Sequence, residues 1–258
     1  MTDNYMGNKF MGQTKNNNRV ILLDEIRGFA ILCMVVYHTM FQLKYTFEVD
    51  VPIFFESWFD VIRFIFAGGF IFISGAMCRF SRNNLKRGVQ CFFLGMVITF
   101  VTPFFSEWTI DFGILHFLGI SMMLYGLFGE ALEKVPSFAG IIICALLTFI
   151  TWNVHNGYIG ISRLFELSLP QKAYDVGVLS PLGFSPGTYE AGDYFPMLPW
   201  MFIFFGGSYF GKWAKDGSLP QFFYNSHVKW LAAVGRVTIW IYLLHLPLIM
   251  LVCTLVFR

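Results

Sequence analysis

Seven apolar stretches alternate with polar segments along this chain. Each is close to the roughly 20 residues a helix needs to cross the hydrocarbon core. They predict transmembrane helices at about residues 20 to 42, 57 to 79, 88 to 106, 111 to 129, 136 to 154, 193 to 213 and 230 to 257. Without water to satisfy the backbone, helices are the form such runs must take. The fold class expected is therefore all-α, a polytopic membrane bundle. Ahead of it stands a polar, Asn-rich tail over residues 1–19, read as cytoplasmic. The tail has no apolar core before a small-residue cleavage site, so the first span is expected to do the targeting. Residues 20–258 then form one membrane domain, with no linker dividing it and no evident internal repeat. Residues 155–192 are too polar to cross and too long for a tight turn, so they are read as an extracytoplasmic loop. Its later part, with LSPLGFSPGTYEAGDYFP running into the next span, is rich in Gly, Pro and aromatics and predicts an ordered cap.

Composition agrees: 56% of residues are hydrophobic, 19% aromatic and 13% charged. Soluble domains carry about a quarter charged residues, so an ordinary soluble globule is excluded. A net charge of +2 implies no nucleic-acid partner, but its distribution gives an orientation. Lys9, Lys15 and Arg19, then Arg79, Arg82, Lys86 and Arg87, then Lys212, Lys215 and Lys229 fall on one side of the alternating loops. Glu48, Asp50, Glu56, Glu107 and Asp111 fall on the other. The positive-inside rule then places the N-terminus inside and the C-terminus outside a plasma or inner membrane. Trp58, Trp108, Trp152, Trp200, Trp213 and Trp230 lie near predicted interfaces, where amphipathic rings are favoured. The five cysteines all sit in apolar runs without a Cys-x-x-Cys pair, so they read as small buried hydrophobes.

Ionisable side chains inside spans cost about 2.5 to 3.5 kcal/mol each and need a partner, water or a function. The first span has Asp24, Arg27 and His38. Arg27 and His38 are eleven residues apart, which places them within about 20° on a helical wheel and about 16 Å apart along the axis. Asp24 lies within about 60° of both. Asp24 and Arg27 could be an i, i+3 ion pair, with the guanidinium reaching for headgroups. His38 could accept a proton or bond a neighbouring helix. His116, His245, the Asp60 and Arg63 pair, and Asp193 raise the same question. Pro247 is expected to bend the last helix just past His245. Gly113 and Gly119 would let a helix approach His116 closely. Asp193 suits the N-terminal cap of the sixth span. Topology alone explains the cations of the 79–87 loop, although they also suit a phosphate-bearing ligand.

Several of these residues stand in motifs that resemble the heparan-alpha-glucosaminide N-acetyltransferase catalytic-domain family, in its small bacterial form. The motifs are RVILLDEIRGFAILCMVVYH from Arg19, FIFISG from Phe70, GILHFLGIS from Gly113, DYFPMLPW from Asp193 and GRVTIWIYLLHLP from Gly235. The resemblance implies a transmembrane acyltransferase that moves an acetyl group from cytoplasmic acetyl-CoA to an amine or hydroxyl, often of a saccharide, on the far side. Under it, His38 is the general base or a transient acetyl carrier, with Asp24 and His116 beside it as catalytic candidates. Arg27, Arg79, Arg82, Lys86 and Arg87 are candidates for holding CoA, and Asp193, Tyr194, Trp200 and His245 for the acceptor, with no metal. Larger members have more spans and a lumenal region. The acceptor site must here come from the 155–192 loop, the 43–56 loop or a second subunit of a homodimer. Two other classes fit the polar spans, a transporter or proton-linked permease and a non-enzymatic membrane scaffold.

Overall fold

The computed structural model describes residues 19–104, 110–161, 164–185 and 193–257, with the side chain of Phe55 excepted. The helices are α1 (Ile21–Tyr45), α2 (Ser57–Met77), α3 (Asn84–Val101), α4 (Ile114–Glu133), α5 (Ser137–Thr151), α6 (Met197–Lys215), α7 (Lys229–Arg236) and α8 (Thr238–Phe257). Residues 1–18 and the 105–109 segment with Glu107 and Trp108 lie outside the described residues. So do residues 186–192 of the expected cap.

The chain is a helical membrane protein. Among the described residues five helical segments are long and apolar enough to cross a membrane: Ser57–Phe80, Asn84–Phe104, Ile114–Glu133, Ser137–Asn156 and Thr238–Phe257. Helix α1 is long enough at 25 residues, but Asp24, Glu25, Arg27 and Lys44 lower its apolarity. Helix α6 carries Lys212 and Lys215 in its last turn. The stretch expected as one span over 230–257 is divided at Val237, where φ −112° and ψ 17° end α7 before α8 begins. The mark of that break in the sequence is Arg236, the charge that ends the amphipathic α7 just before the strongly apolar α8. Helix α8 then runs through Pro247 to Phe257. A second departure is a small antiparallel hairpin after α5, β1 (Tyr158–Ile161) with β2 (Phe165–Ser168), pairing Ile159 with Leu167. Its strands are too short for an alternation to stand out within a loop.

Helix α3 packs on α4, α2 on α6, α1 on α7, and α5 on α6, while α1 also touches α2 and α8. The shared core holds Ile31, Ile71, Leu115, Phe117, Trp200, Phe204 and Tyr242. Large apolar side chains such as Phe93, Phe100, Phe149 and Leu255 remain exposed on the outside, the surface that lipid tails would cover. With lipid outside, burying apolar area gives helices little reason to associate, so close backbone packing must hold them. Glycines supply it. A Cβ on Gly28 would lie 2.1 Å from the Leu231 carbonyl oxygen, and one on Gly235 would lie 1.8 Å from that of Asp24. Glu25 fastens the same junction, accepting from Ser226 Oγ at 3.1 Å and from the His227 and Val228 N–H groups at 2.8 Å each. Those N–H groups stand where α7 starts and has no partner of its own for them.

Gly235→Leu must therefore push α7 off α1. The expected loss is about 3 kcal/mol, seen as a lower melting temperature in detergent, whereas Gly69→Ala, with nothing within 4 Å of the added carbon, leaves melting unchanged.

Candidate functional site

A cavity of about 540 Å³ opens among α1, α2, α3, α4 and the start of α8. Its basic end is formed by Arg27, Arg87 and Arg236, where α3 and α8 begin. Its walls are mostly apolar, with Phe70, Leu94, Leu115 and Leu118 among them, and Tyr242 stands one helical turn above Thr238. Arg27 reaches Asp24 at 3.7 Å and donates to Thr238 Oγ1 at 2.8 Å, while its Nε is buried without a hydrogen-bond partner among the described residues. Asp24 is shared, since Arg19 also holds it at 2.7 Å. Arg87 and Arg236 form no ion pair among the described residues. The cavity thus offers two unneutralised guanidinium groups at its mouth and a lipophilic interior, a pairing suited to a ligand with an anionic head and a slender, less polar arm.

Beyond Tyr242 the polar groups close up. The Tyr242 hydroxyl donates to Asp193 Oδ2 at 2.6 Å, and that oxygen also accepts from the Ile114 N–H at 3.3 Å. Asp193 therefore serves the start of α4. Its own helix α6 begins at Met197, after Pro196 and without a side-chain cap, contrary to the capping role the sequence suggested. One turn beyond Tyr242, His245 Nδ1 lies 2.6 Å from the Tyr242 carbonyl oxygen. A carbonyl only accepts, so the proton sits on Nδ1 and Nε2 keeps its lone pair. That Nε2 is buried and has no hydrogen-bond partner among the described residues. The ring of His38 packs edge-on against His245 with centroids 5.0 Å apart, and both are buried, at 6% and 4% exposure. Neither imidazole lines the cavity itself; Tyr242, with its ring 5.3 Å from His245, stands at the junction.

Other candidates lie elsewhere. His116 Nδ1 accepts from the Gly113 N–H at 3.2 Å, which leaves its proton on Nε2, 3.4 Å from Thr99 Oγ1. Its ring is stacked on Phe112 and meets Phe92 edge-on, so it caps α4 and fills the α3–α4 contact, where Gly119 touches the Phe92 backbone. Arg79 is buried between the Ser208 carbonyl oxygen, 2.8 Å away, and Glu133, which also holds Lys212 at 3.3 Å. With its charge engaged there, Arg79 is a tie between helices. Arg82 and Lys86 are exposed and do not line the cavity. Tyr194 donates to the Ser180 carbonyl oxygen at 2.5 Å and pins the loop. Trp200, expected at an interface, is core, 5% exposed and stacked on Phe64.

Arg236, Thr238 and Tyr242 also line the cavity and are not among the candidates the sequence offers. Arg236 falls inside the expected last span, where a full positive charge seven residues into an apolar run is a usable signal. Tyr242 had no such mark, since aromatic residues fill every span. Among the described residues no cluster of three metal-ligating side chains forms.

Compared with known proteins, residues 19–247 match the family model described as "Heparan-alpha-glucosaminide N-acetyltransferase, catalytic". No curated protein and no solved structure matches the chain.

The Asp193–Tyr242 bond ties α8 to the start of α4. Tyr242→Phe and Asp193→Asn should each destabilise the protein, and a double-mutant cycle on melting in detergent should show a coupling of about 1.5 kcal/mol. Additive effects would mean that the two side chains do not act as a pair.

Proposed function

The chain belongs to the heparan-alpha-glucosaminide N-acetyltransferase catalytic family, and from that premise we propose that it transfers acetyl groups from cytoplasmic acetyl-CoA to an amine or hydroxyl acceptor on the opposite side of the membrane. The observation that carries this is the cavity: Arg87 and Arg236, without ion pairs among the described residues, with Arg27 at one end, and the Tyr242, His245 and His38 rings leading away from the other. Arg27, Arg87 and Arg236 would bind the phosphates of CoA. The apolar walls would take its pantetheine arm. Thr238 holds Arg27 in place, and Asp24 limits the repulsion among the three cations.

The resident chemistry is that of the imidazole pair. His38 accepts the proton of the acceptor as its nitrogen or oxygen attacks the thioester carbonyl. The carbon–sulfur bond then breaks and the proton passes to the departing thiolate, so no net charge is left in the bilayer. His245, with Nδ1–H fixed on the Tyr242 carbonyl, presents Nε2 beside His38 as a second acceptor. Asp193, reached through Tyr242, would orient the acceptor's polar group. Attack by His38 itself, forming a transient acetyl-imidazole, is the covalent variant.

We place α1 and α6 in the membrane as well, as the first and sixth of seven spans. Both are packed against apolar spanning helices; the 25 residues of α1 give about 38 Å of length, and α6, regular after Leu198, gives about 26 Å. Arg79, Arg82, Lys86 and Arg87 sit at the end that carries the basic mouth, so the positive-inside rule puts that mouth in the cytoplasm of a plasma-membrane protein.

Purified protein in liposomes should transfer labelled acetyl from acetyl-CoA to glucosamine. His38→Ala should lower kcat by at least about a hundredfold. Arg87→Gln and Arg236→Gln should each raise the acetyl-CoA KM about tenfold, whereas Arg82→Gln should not. A His38→Ala variant as fast as wild type would overturn the assignment of the base.

A further inference from the structure

An acceptor must reach His38 by a route of its own. A second cavity, of about 380 Å³, lies on the other side of α1, between α1 and α2 and beside the start of α7. Its lining is almost wholly apolar: Phe29, Leu32, Cys33, Phe66 and Trp230, with Tyr37 and Arg63 as the polar exceptions. Phe29 and Trp230 are 47% and 60% exposed on the outer surface, which makes this cavity continuous with the face the bundle turns to lipid. Its polar groups are gathered at one end. Arg63 is held to Asp60 at 3.2 Å, lies over the Tyr37 ring at 5.4 Å, and has a buried Nε with no partner among the described residues.

That polar end borders the imidazole pair. The Tyr37 ring, in the second cavity, meets His38 edge-on at 5.4 Å; His38 meets His245 at 5.0 Å; and His245 meets Tyr242, in the first cavity, at 5.3 Å. His38 thus lines neither cavity but is buried between them, behind Tyr37 on one side and behind His245 and Tyr242 on the other. One has a basic mouth at the bundle's basic end; the other is apolar, opens sideways and has its single cation near the level of His38.

We infer that the acceptor is a membrane-borne amphiphile, whose apolar chain lies in the α1–α2 cavity and whose amine- or hydroxyl-bearing head rests by Arg63 and Tyr37, against His38. This rests on the acyl-transfer reading and adds the substrate class to it. The axial order fits. From Tyr37 back to Phe29 is eight residues, about 12 Å, so a chain anchored at Arg63 runs towards the bundle's basic end, as the tail of a lipid in the opposite leaflet would. A water-soluble saccharide would find polar partners only at Arg63 and Tyr37 and apolar walls along the rest of the cavity, which leave most of its hydroxyl groups unsatisfied. The bond made is an amide or ester to the head, the bond broken is the thioester, and His38 carries the proton from one to the other.

The experiment uses full-length protein in liposomes, labelled acetyl-CoA, and two acceptors with one head: glucosamine and dodecyl glucosaminide. Wild type should favour the dodecyl acceptor at least about tenfold in kcat/KM. Leu32→Trp, which fills the second cavity, should abolish most of that preference while leaving stabilisation by acetyl-CoA unchanged. Val36→Trp, at a 53% exposed position on the same rim, serves as the second variant should Leu32→Trp fail to fold. A dodecyl glucosaminide bearing a photoreactive diazirine on its chain should label α1 over 29–37 and α2 over 59–66, and Leu32→Trp should remove the label.

Equal use of both acceptors, or an undiminished dodecyl preference in the filled variants, would overturn the inference. Labelling spread over exposed α3 and α5 positions such as Phe93 and Phe149 would also overturn it, since the groove would then hold annular lipid no differently from the rest of the surface. Absence of both acetyl transfer and acetyl-CoA stabilisation would count against the acyltransferase reading, and the labelling pattern would still decide whether the groove takes the amphiphile.

Discussion

Helix α1 keeps a charged and polar face inside an apolar bundle because α7, α8 and the segment leading into α1 supply that face with partners. Asp24 is held by Arg19 and Arg27, Arg27 by Thr238, Glu25 by the residues that begin α7, and His38 lies against His245. Each of these groups alone would disfavour the buried position by more than a hydrogen bond returns. Assembled, they fix how α1 sits against the C-terminal helices, and the glycines at 28 and 235 let the backbones come near enough for the side chains to meet. Both cavities are defined by the position of α1, one on either side of it.

The same junction explains why α7 is a separate helix. Eight residues long, it brings Ala232 and Gly235 into the bundle and ends at Arg236, which a straight helix into α8 would have turned elsewhere. The chain reverses local character at Val237 and resumes with Thr238, the partner of Arg27. A basic mouth built from α1, α3 and the α7–α8 joint is thereby assembled from positions as far apart in sequence as 27, 87 and 236. Charges drawn from three separate elements can surround a ligand in a way that one basic loop cannot.

Along the axis the polar groups are graded. Arg27, Arg87 and Arg236 occupy one end, the last two without an ion pair among the described residues, a tyrosine bonded to a buried aspartate follows, and two imidazoles come next. The Tyr242–Asp193 bond keeps the carboxylate from standing alone in an apolar interior and links α8 to α4, so the orientation of His245, one turn on, is set by packing from several helices. Such support gives the imidazole a fixed direction and leaves its Nε2 without a partner among the described residues. His116 shows the contrast, since with both ring nitrogens close to partners it works as a helix cap.

Local chemistry along the chain determined that helices would form, roughly where, and that α1 would carry Asp24, Arg27 and His38 on one stripe, because backbone satisfaction in lipid and the 3.6-residue repeat are properties of a segment by itself. Which stripes would face each other is not such a property. Arg79 and Arg87 look alike in sequence, yet one is consumed by Glu133 and the other is left at the cavity mouth. His38 and His245 are 207 positions apart and no periodicity joins them; Asp193 precedes α6 but serves α4. Partnership of this kind depends on the docking of glycine-lined helix faces, where one added methyl group would separate the elements, and so it was settled only once the tertiary structure brought those faces together.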